Sequence, residues 1–111
     1  MLPGMTPDLS IVIVSWNTRD LLATCLASLP DAVGNLSAEV LVADNASGDG
    51  STAMIAERFP AVRVLETGGN LGFTRANNLA LAEVSGRRIQ LLNPDTICPP
   101  GSLRELGARL D

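Results

Sequence analysis

Asp, Asn, Ser and Gly gather in four short clusters of this chain: Ser15-Trp16-Asn17-Thr18, Asp44-Asn45-Ala46-Ser47-Gly48-Asp49-Gly50-Ser51, Thr67-Gly68-Gly69-Asn70-Leu71-Gly72-Phe73 and Asn93-Pro94-Asp95-Thr96. Carboxylates and amides in such clusters hydrogen-bond to hydroxyls and base edges. Glycine lets a backbone come close to a ligand, and free N–H groups at helix starts attract phosphate. The set therefore suits a ligand that carries both hydroxyls and phosphates. The chain has no His, which removes zinc–imidazole sites, Ser-His-Asp triads and His-based acid–base chemistry.

Each cluster follows a run that reads as a strand. Residues 9–15 (LSIVIVS) are rich in β-branched side chains and nearly continuously apolar, the pattern of a strand buried on both faces. Residues 39–43, 62–66 and 88–92 repeat it more weakly. Leu21, Leu22, Cys25, Leu26 and Leu29 share one face of a helix predicted over 19–29, with Thr18 as its cap and Pro30 as its stop. Further helices are predicted over 51–58, over 74–84 with Thr74 as cap and Gly86 beyond its end, and over 100–110. The last puts Leu103, Leu106 and Leu110 on one face, with Ser102 as a cap. Strands alternating with helices predict an α/β fold, a Rossmann-like parallel sheet with helices on both faces. Ligands of such sheets bind beyond the carboxyl ends of the strands, and that is where all the polar clusters fall. The opposite connections (30–38, 59–61, 85–87) are blander.

At 111 residues there is room for one domain, expected over 9–111 behind a flexible arm of residues 1–8. Trp16, Phe59 and Phe73 are its only aromatics, so the core must be aliphatic. A net charge of −4 argues against a nucleic-acid binder, which carries a basic stripe. No GxGxxG follows the first strand, and neither GxxxxGK[ST] nor GxSxG occurs. A response-regulator-like domain is disfavoured too, because no acidic pair follows strand one and the chain has no Lys. Cys25 and Cys98 read as reduced thiols of a cytosolic protein. Residues 1–8 lack the features of a signal peptide, the longest apolar run is too short for a bilayer, and the sequons at Asn35 and Asn45 read as chance.

Four segments together resemble the family 2 glycosyltransferases of the A-type fold. They are Ser15-Trp16-Asn17, the Asp44–Ser51 loop, Asn70-Leu71-Gly72-Phe73 to Asn77-Asn78, and Leu91-Leu92-Asn93-Pro94-Asp95. Within the family they are most similar to the rhamnosyltransferase-like branch, and the resemblance covers residues 9–110. It implies strand order 3-2-1-4 and the nucleotide-sugar-binding front half of a truncated A-type domain. Asp44 would meet the N3–H of uracil or thymine, with Asn45, Ser47 and Asp49 lining the same loop. Ser15 and Asn17 would touch the nucleotide from strand one. Asn70, Gly72, Arg75 and Asn77 would form the second wall. Asp95 would hold Mg²⁺ or Mn²⁺ across the two phosphates, while Asn93 puts an uncharged amide where the family's Asp-x-Asp begins.

The function so implied is inverting transfer of a sugar, from dTDP-rhamnose or a UDP-sugar, to a glycan or lipid-linked acceptor in cell-envelope or polysaccharide synthesis. The family's base comes after the metal motif, and no residue up to Asp111 matches it. The chain by itself is therefore expected to be inactive, and to self-associate through strand four or the C-terminal helix. The expected location is cytoplasmic, peripheral at the inner membrane face for a longer protein. The rival reading is a non-catalytic nucleotide-binding or assembly module that keeps only the pocket. Plainer roles compete residue by residue. Residues 44–51 could simply cap helices, and Asn93-Pro94-Asp95 could be a β-turn. Arg75 could be a solvated helix residue, and Trp16 reads as packing rather than stacking. Asn77 and Asn78 run against helix propensity, which favours a functional or capping role for one of them.

Overall fold

The LSIVIVS run forms β1 (Leu9–Ser15), and all seven of its residues are buried. Burial on both faces follows from its place in a computed structural model that describes the backbone of residues 6–110 and the side chains of residues 6–106. The elements after β1 are α1 (Arg19–Val33), β2 (Ala38–Asp44), α2 (Ser51–Arg58), β3 (Arg63–Glu66), α3 (Phe73–Leu81), β4 (Arg88–Leu92) and α4 (Ser102–Leu110). The sheet order is β3-β2-β1-β4 and every pairing is parallel. This is the expected α/β topology, and α2 and β4 fall on their predicted bounds.

Alternation along β1 builds two cores. Leu9, Ile11 and Ile13 enter a cluster with Leu22, Cys25, Leu26 and Leu29 of α1, Ile55 of α2 and Leu103 of α4. Val12 and Val14 enter the other, with Leu41, Ala43, Ala76 and Ala80. The small Ala76 and Ala80 let α3 lie close to the sheet. Each fully buried Ile or Leu contributes roughly 1.5–3 kcal/mol. The register places Ile89 beside Ser10 and Leu91 beside Val12, on the α3 face. Because α3 packs over β1 and β2, Ile89 and Leu91 stay 48% and 43% exposed.

Several expectations are corrected. Pro30 does not end α1, which runs on to Val33 with Pro30 inside it. The lost N–H is offset by the last turn, where Ala32 is buried, and the helix stops at Gly34 (φ 59°), whose N–H bonds to the Pro30 carbonyl. Helix α3 ends at Leu81, not residue 84, and begins after Gly72, so Thr74 lies within it. Thr18 stands at the start of α1 without a side-chain cap bond, and Ser102 is the first residue of α4 rather than its cap. Residues 7 and 8 of the predicted arm are docked: Pro7 is fully buried, and Asp8 accepts hydrogen bonds from the Ser37 backbone N–H (2.9 Å) and hydroxyl (3.1 Å). Residues 1–5 and the Leu110 side chain lie outside the described residues.

A small polar network closes the floor of the sheet. The Ser10 hydroxyl donates to Glu39 Oε1 (2.7 Å), Gly86 N–H donates back to Ser10 Oγ (2.7 Å), and Ser85 N–H donates to Glu39 (2.8 Å). Gly86 passes so close that a Cβ there would collide with Ser10 Oγ, Ser10 N and the Leu9 carbonyl carbon. The obstruction is mostly backbone and cannot swing aside. Gly86→Ala should therefore push β4 off β1 and cost about 1–3 kcal/mol, read as a lower urea midpoint. An unchanged midpoint would mean that the strand ends absorb a methyl group at no cost.

Candidate functional site

Parallel pairing sets Ser15 beside Asp44 at the carboxyl ends of β1 and β2. The ladder continues one step further, with Asn45 N–H donating to the Ser15 carbonyl (2.9 Å) and Thr67 N–H to the Asp44 carbonyl (3.0 Å). Asp44 is only 2% exposed. Its two carboxylate oxygens accept from Ser47, one from the backbone N–H (2.9 Å) and one from the hydroxyl (2.6 Å). Ser47 Oγ in turn accepts from Asn17 N–H (2.9 Å), and Asn17 Oδ1 accepts from Gly48 N–H (2.8 Å). Asn17 and Ala46 both adopt left-handed backbone, at φ 52° and 63°. For Ala46 that conformation costs free energy, which the surrounding bonds must offset.

Asp49 joins two helix starts. One carboxylate oxygen accepts from Arg19 N–H at the head of α1 (2.9 Å), the other from Ser51 N–H (3.1 Å) and the Ser51 hydroxyl at the head of α2. Arg19 Nη1 also reaches the Asp49 carbonyl (3.2 Å). Partial burial pushes the carboxyl pKa up, but the bonds from Ser51 and Arg19 outweigh that and hold it below the usual 3.8. Asn17, Thr18, Arg19, Asp20, Leu21 and Asp49 border a polar cavity of about 270 Å³ at the head of α1.

The second wall is tied to the first through Asn45, itself 2% exposed. Its Oδ1 accepts from the Thr67 hydroxyl (2.7 Å) and its Nδ2 donates to the Gly72 carbonyl (3.4 Å). Gly68 and Gly72 sit at φ 86° and 80°, a region that excludes most side chains, and Asn70 Oδ1 accepts from Gly72 N–H (3.3 Å). Arg75 is exposed in the first turn of α3. Asn77 is 6% exposed, and its Nδ2 has no partner. An unpaired buried amide costs about 1–3 kcal/mol.

On the far side of β1, Thr96 N–H donates to the Asn93 carbonyl (3.1 Å) and closes a turn that leaves Asn93 and Asp95 exposed. Two strand spacings, about 10 Å, separate this turn from the Asp44 side. The Cys25 thiol lies under it, 4.0 Å from the Asn93 carbonyl. Burial, with added charge from Cys98 and Asp95, pushes that thiol up to about 11, so it stays protonated at neutral pH. Among the described residues no group of three or more Cys, Asp or Glu side chains could cage a metal ion.

The structure thus links seven predicted residues, Ser15, Asn17, Asp44, Asn45, Ser47, Asn70 and Gly72, by hydrogen bonds across the strand tips, while Asp49 bonds to Arg19 and Ser51 at the two helix starts. Arg75, Asn77, Asn93 and Asp95 stand outside that linkage. Trp16, read as a packing residue, is 51% exposed at the β1 tip. Sequence reasoning missed Thr67 and Arg19, and it missed the bond between the Thr18 and Ser15 hydroxyls (2.9 Å). Only the position of Thr67 directly after a strand could have pointed to it.

A parallel 3-2-1-4 sheet with polar loops at its carboxyl edge defines a Rossmann-like α/β domain, a class whose ligands sit beyond the carboxyl ends of the strands. The chain belongs to glycosyl transferase family 2, whose pattern it matches over residues 10–111. It is 36% identical over 113 residues to the N-acetylglucosaminyl-diphospho-decaprenol L-rhamnosyltransferase of Mycobacterium tuberculosis, an alignment covering 92% of this chain and 36% of that protein. It is 30% identical to the succinoglycan biosynthesis protein ExoO of Rhizobium meliloti, covering 95% of this chain and 30% of that one. The chain therefore spans about a third of the length of the curated relatives it matches. Among solved structures, a mannosyltransferase from Pyrobaculum calidifontis in complex with GDP-Man and Mn²⁺ superposes with a TM-score of 0.79 at 23% identity, covering 97% of this chain and 32% of that one. TarS 1–349 of S. aureus in complex with UDP does so at 0.81 and 21%, covering 96% of this chain and 32% of that one. The fold is that of the A-type glycosyltransferases.

Asp49 gives the site a direct test. Asp49→Ala removes caps from α1 and α2 at once and should lower stability by about 1–2 kcal/mol per helix start. The lowered pKa fixes the sign of the pH effect. The stabilisation is fully present above the ordinary carboxylate value of 3.8 and is lost as pH falls below it, through the lower pKa of the folded state, so mutant and parent should approach one another in acid. Thermal unfolding at pH 7 and pH 3 reads both. Equal melting temperatures at pH 7 would assign Asp49 to ligand contact alone.

Proposed function

We propose that the strand-tip site binds a nucleoside diphosphate sugar with a pyrimidine base, as the donor-binding part of an inverting glycosyltransferase. The observation that carries this is Asp44, an acceptor-only carboxylate fixed by Ser47 at the tip of β2. Each of its oxygens keeps lone-pair capacity beyond the Ser47 bond, enough for the N3–H of uracil or thymine. The loops around it are tied to one another by hydrogen bonds, which reduces the ordering to be done on binding. The likeness to a rhamnosyltransferase favours dTDP-rhamnose as donor over other UDP- or dTDP-sugars. The likeness to a diphospho-decaprenol rhamnosyltransferase and a succinoglycan biosynthesis protein favours a glycan or lipid-linked acceptor in polysaccharide or cell-envelope synthesis. No described helix is long and apolar enough to cross a membrane, and the proposed place of work is the cytoplasmic face, where such donors are held.

Asp95 and Asn93 fit a divalent cation that takes most of its oxygens from diphosphate and water, as Mg²⁺ or Mn²⁺ does with one or two protein ligands. Both are exposed on one turn, beyond the strand next to Ser15. A cation held there would supply neutralisation of the departing diphosphate. Arg75 and the N–H groups at the head of α3 would balance the same charge from the chain itself. The acceptor-activating base has no counterpart among the matched residues, so this chain is proposed to bind donor without transferring it. A purely non-catalytic binding module shares that outcome. The two readings separate only when a longer protein is assayed with dTDP-rhamnose and a lipid-linked acceptor.

Isothermal titration with dTDP, UDP and ADP, with and without Mn²⁺, tests the site. The two pyrimidine nucleotides should bind more tightly than ADP, and Asp44→Ala should lose about 1–3 kcal/mol. Equal affinity for ADP and dTDP would count decisively against Asp44 as a base reader. The same titration addresses the cation. Asp95→Asn should remove the Mn²⁺ enhancement without altering the circular dichroism spectrum. Metal-independent binding by the parent would transfer the phosphate role to Arg75.

A further inference from the structure

The side chains of Asn45 and Thr67 join the tip of β2 to the glycine loop that leads into α3. Asn45 is 2% exposed, so its amide meets the chain itself rather than a ligand. Its orientation follows from its partners. The Gly72 carbonyl can only accept, so Nδ2 must face it (3.4 Å), which turns Oδ1 to the Thr67 hydroxyl (2.7 Å). That hydroxyl lies equally close to the Gly69 carbonyl (2.7 Å), and Thr67 N–H extends the sheet ladder to the Asp44 carbonyl (3.0 Å). Thr67 thus grips the strand that carries Asp44, the amide beside it and the glycine loop together. The Gly72 carbonyl also accepts from Ala76 N–H (3.3 Å), so Asn45 holds the first turn of α3, where Arg75 stands. Along the chain Asn45 and Gly72 are 27 residues apart, yet one hydrogen bond joins them. Gly68, Gly69 and Gly72 leave the loop wide backbone freedom, which such a tie removes.

We propose that Thr67 and Asn45 are positioning residues that set the distance between the base-reading end at Asp44 and the phosphate-balancing end at the head of α3. The inference rests on the reading of the strand tips as a nucleoside diphosphate site. In such a ligand base and diphosphate are joined through one ribose, so both are met only while the two ends of the site keep their spacing. A shift of about 1 Å carries a hydrogen bond from its preferred length past its limit. Neither residue needs to touch the nucleotide. Their effect falls on the diphosphate, while the choice of base stays with Asp44, which Ser47 fixes from the other side.

Titrations of this chain with thymidine, dTDP and ADP, without added metal, test the clasp. The parent should bind dTDP more tightly than either thymidine or ADP. Thr67→Val keeps the shape and the backbone N–H but removes the hydroxyl. It should cut the gain of dTDP over thymidine about tenfold, the loss of one charge-assisted hydrogen bond, and leave thymidine affinity unchanged. Asn45→Ala should do the same, and Thr67→Ser should keep the gain. Thr67→Val combined with Asn45→Ala should lose no more than the worse single variant, because both break one tie. If the parent prefers dTDP to ADP and Thr67→Val retains the whole gain, the clasp is overturned and the site stands. Equal losses for thymidine and dTDP overturn it as well, since they mark a general loosening of the fold, and so does a Thr67→Ser variant that behaves like Thr67→Val. A parent that does not distinguish dTDP from ADP fails the reading of the site itself, and the clasp falls with it.

Discussion

Everything in this molecule is arranged around a strand that water never reaches. With β2 on one side, β4 on the other and helices above and below, β1 must satisfy every backbone group within the sheet. Parallel neighbours can be supplied only through crossovers. Each crossover begins at the same edge of the sheet, so the residues that turn the chain out of β1, β2, β3 and β4 are brought together whatever their identity. The burial of LSIVIVS thus decides where a site can exist. The loop residues decide only what it is.

Those loops do two jobs with one set of atoms. Asp44, Ser47, Asn17 and Gly48 form a closed chain of bonds between the β1 and β2 exits, and Asp49 caps two helices at once. Side chains spent in this way are not free to grip a ligand with those same lone pairs. What they provide is position. The remaining capacity of Asp44, the unpartnered Nδ2 of Asn77, and the exposed Arg75 and Asp95 are the groups with valence to spare. Within the site, then, a rigid part near β1 and β2 stands beside an uncommitted part near α3 and β4.

Much of this was legible in the residues. The β-branched run of β1, the 51–58 helix and the alternation that fixes the α/β class follow from local pattern, and the motif order carried the strand order with it. Pro30 misled because local rules price the missing N–H without seeing that Ala32 anchors the turn beyond it. The early end of α3 had no local signal either, since 82–84 still reads as helical. Asn17, Ser47 and Asp49 were recognisable as polar and well placed. That Asn17 bonds to Ser47, and Asp49 to Arg19, rather than standing open is a matter of which loops meet, about 30 residues apart in sequence. The bonds of Thr67 and the tight passage at Gly86 are invisible for the same reason. Both are defined by what lies across the sheet.

The contact between Gly86 and Ser10 spans 76 residues of chain, against 29 for the bond from Ser10 to Glu39. That difference orders events during synthesis. Polypeptide emerges at roughly 5–20 residues per second, so β1 and β2 can pair seconds before β4 has left the ribosome. Through that interval the flank of β1 later occupied by Arg88 to Leu92 stands open, lined by Ile11, Val12 and Ile13. The most deeply buried strand of the finished molecule is therefore, for a time, its most vulnerable, and the nascent chain passes through a stage at which a holding chaperone has a defined strip of backbone to protect.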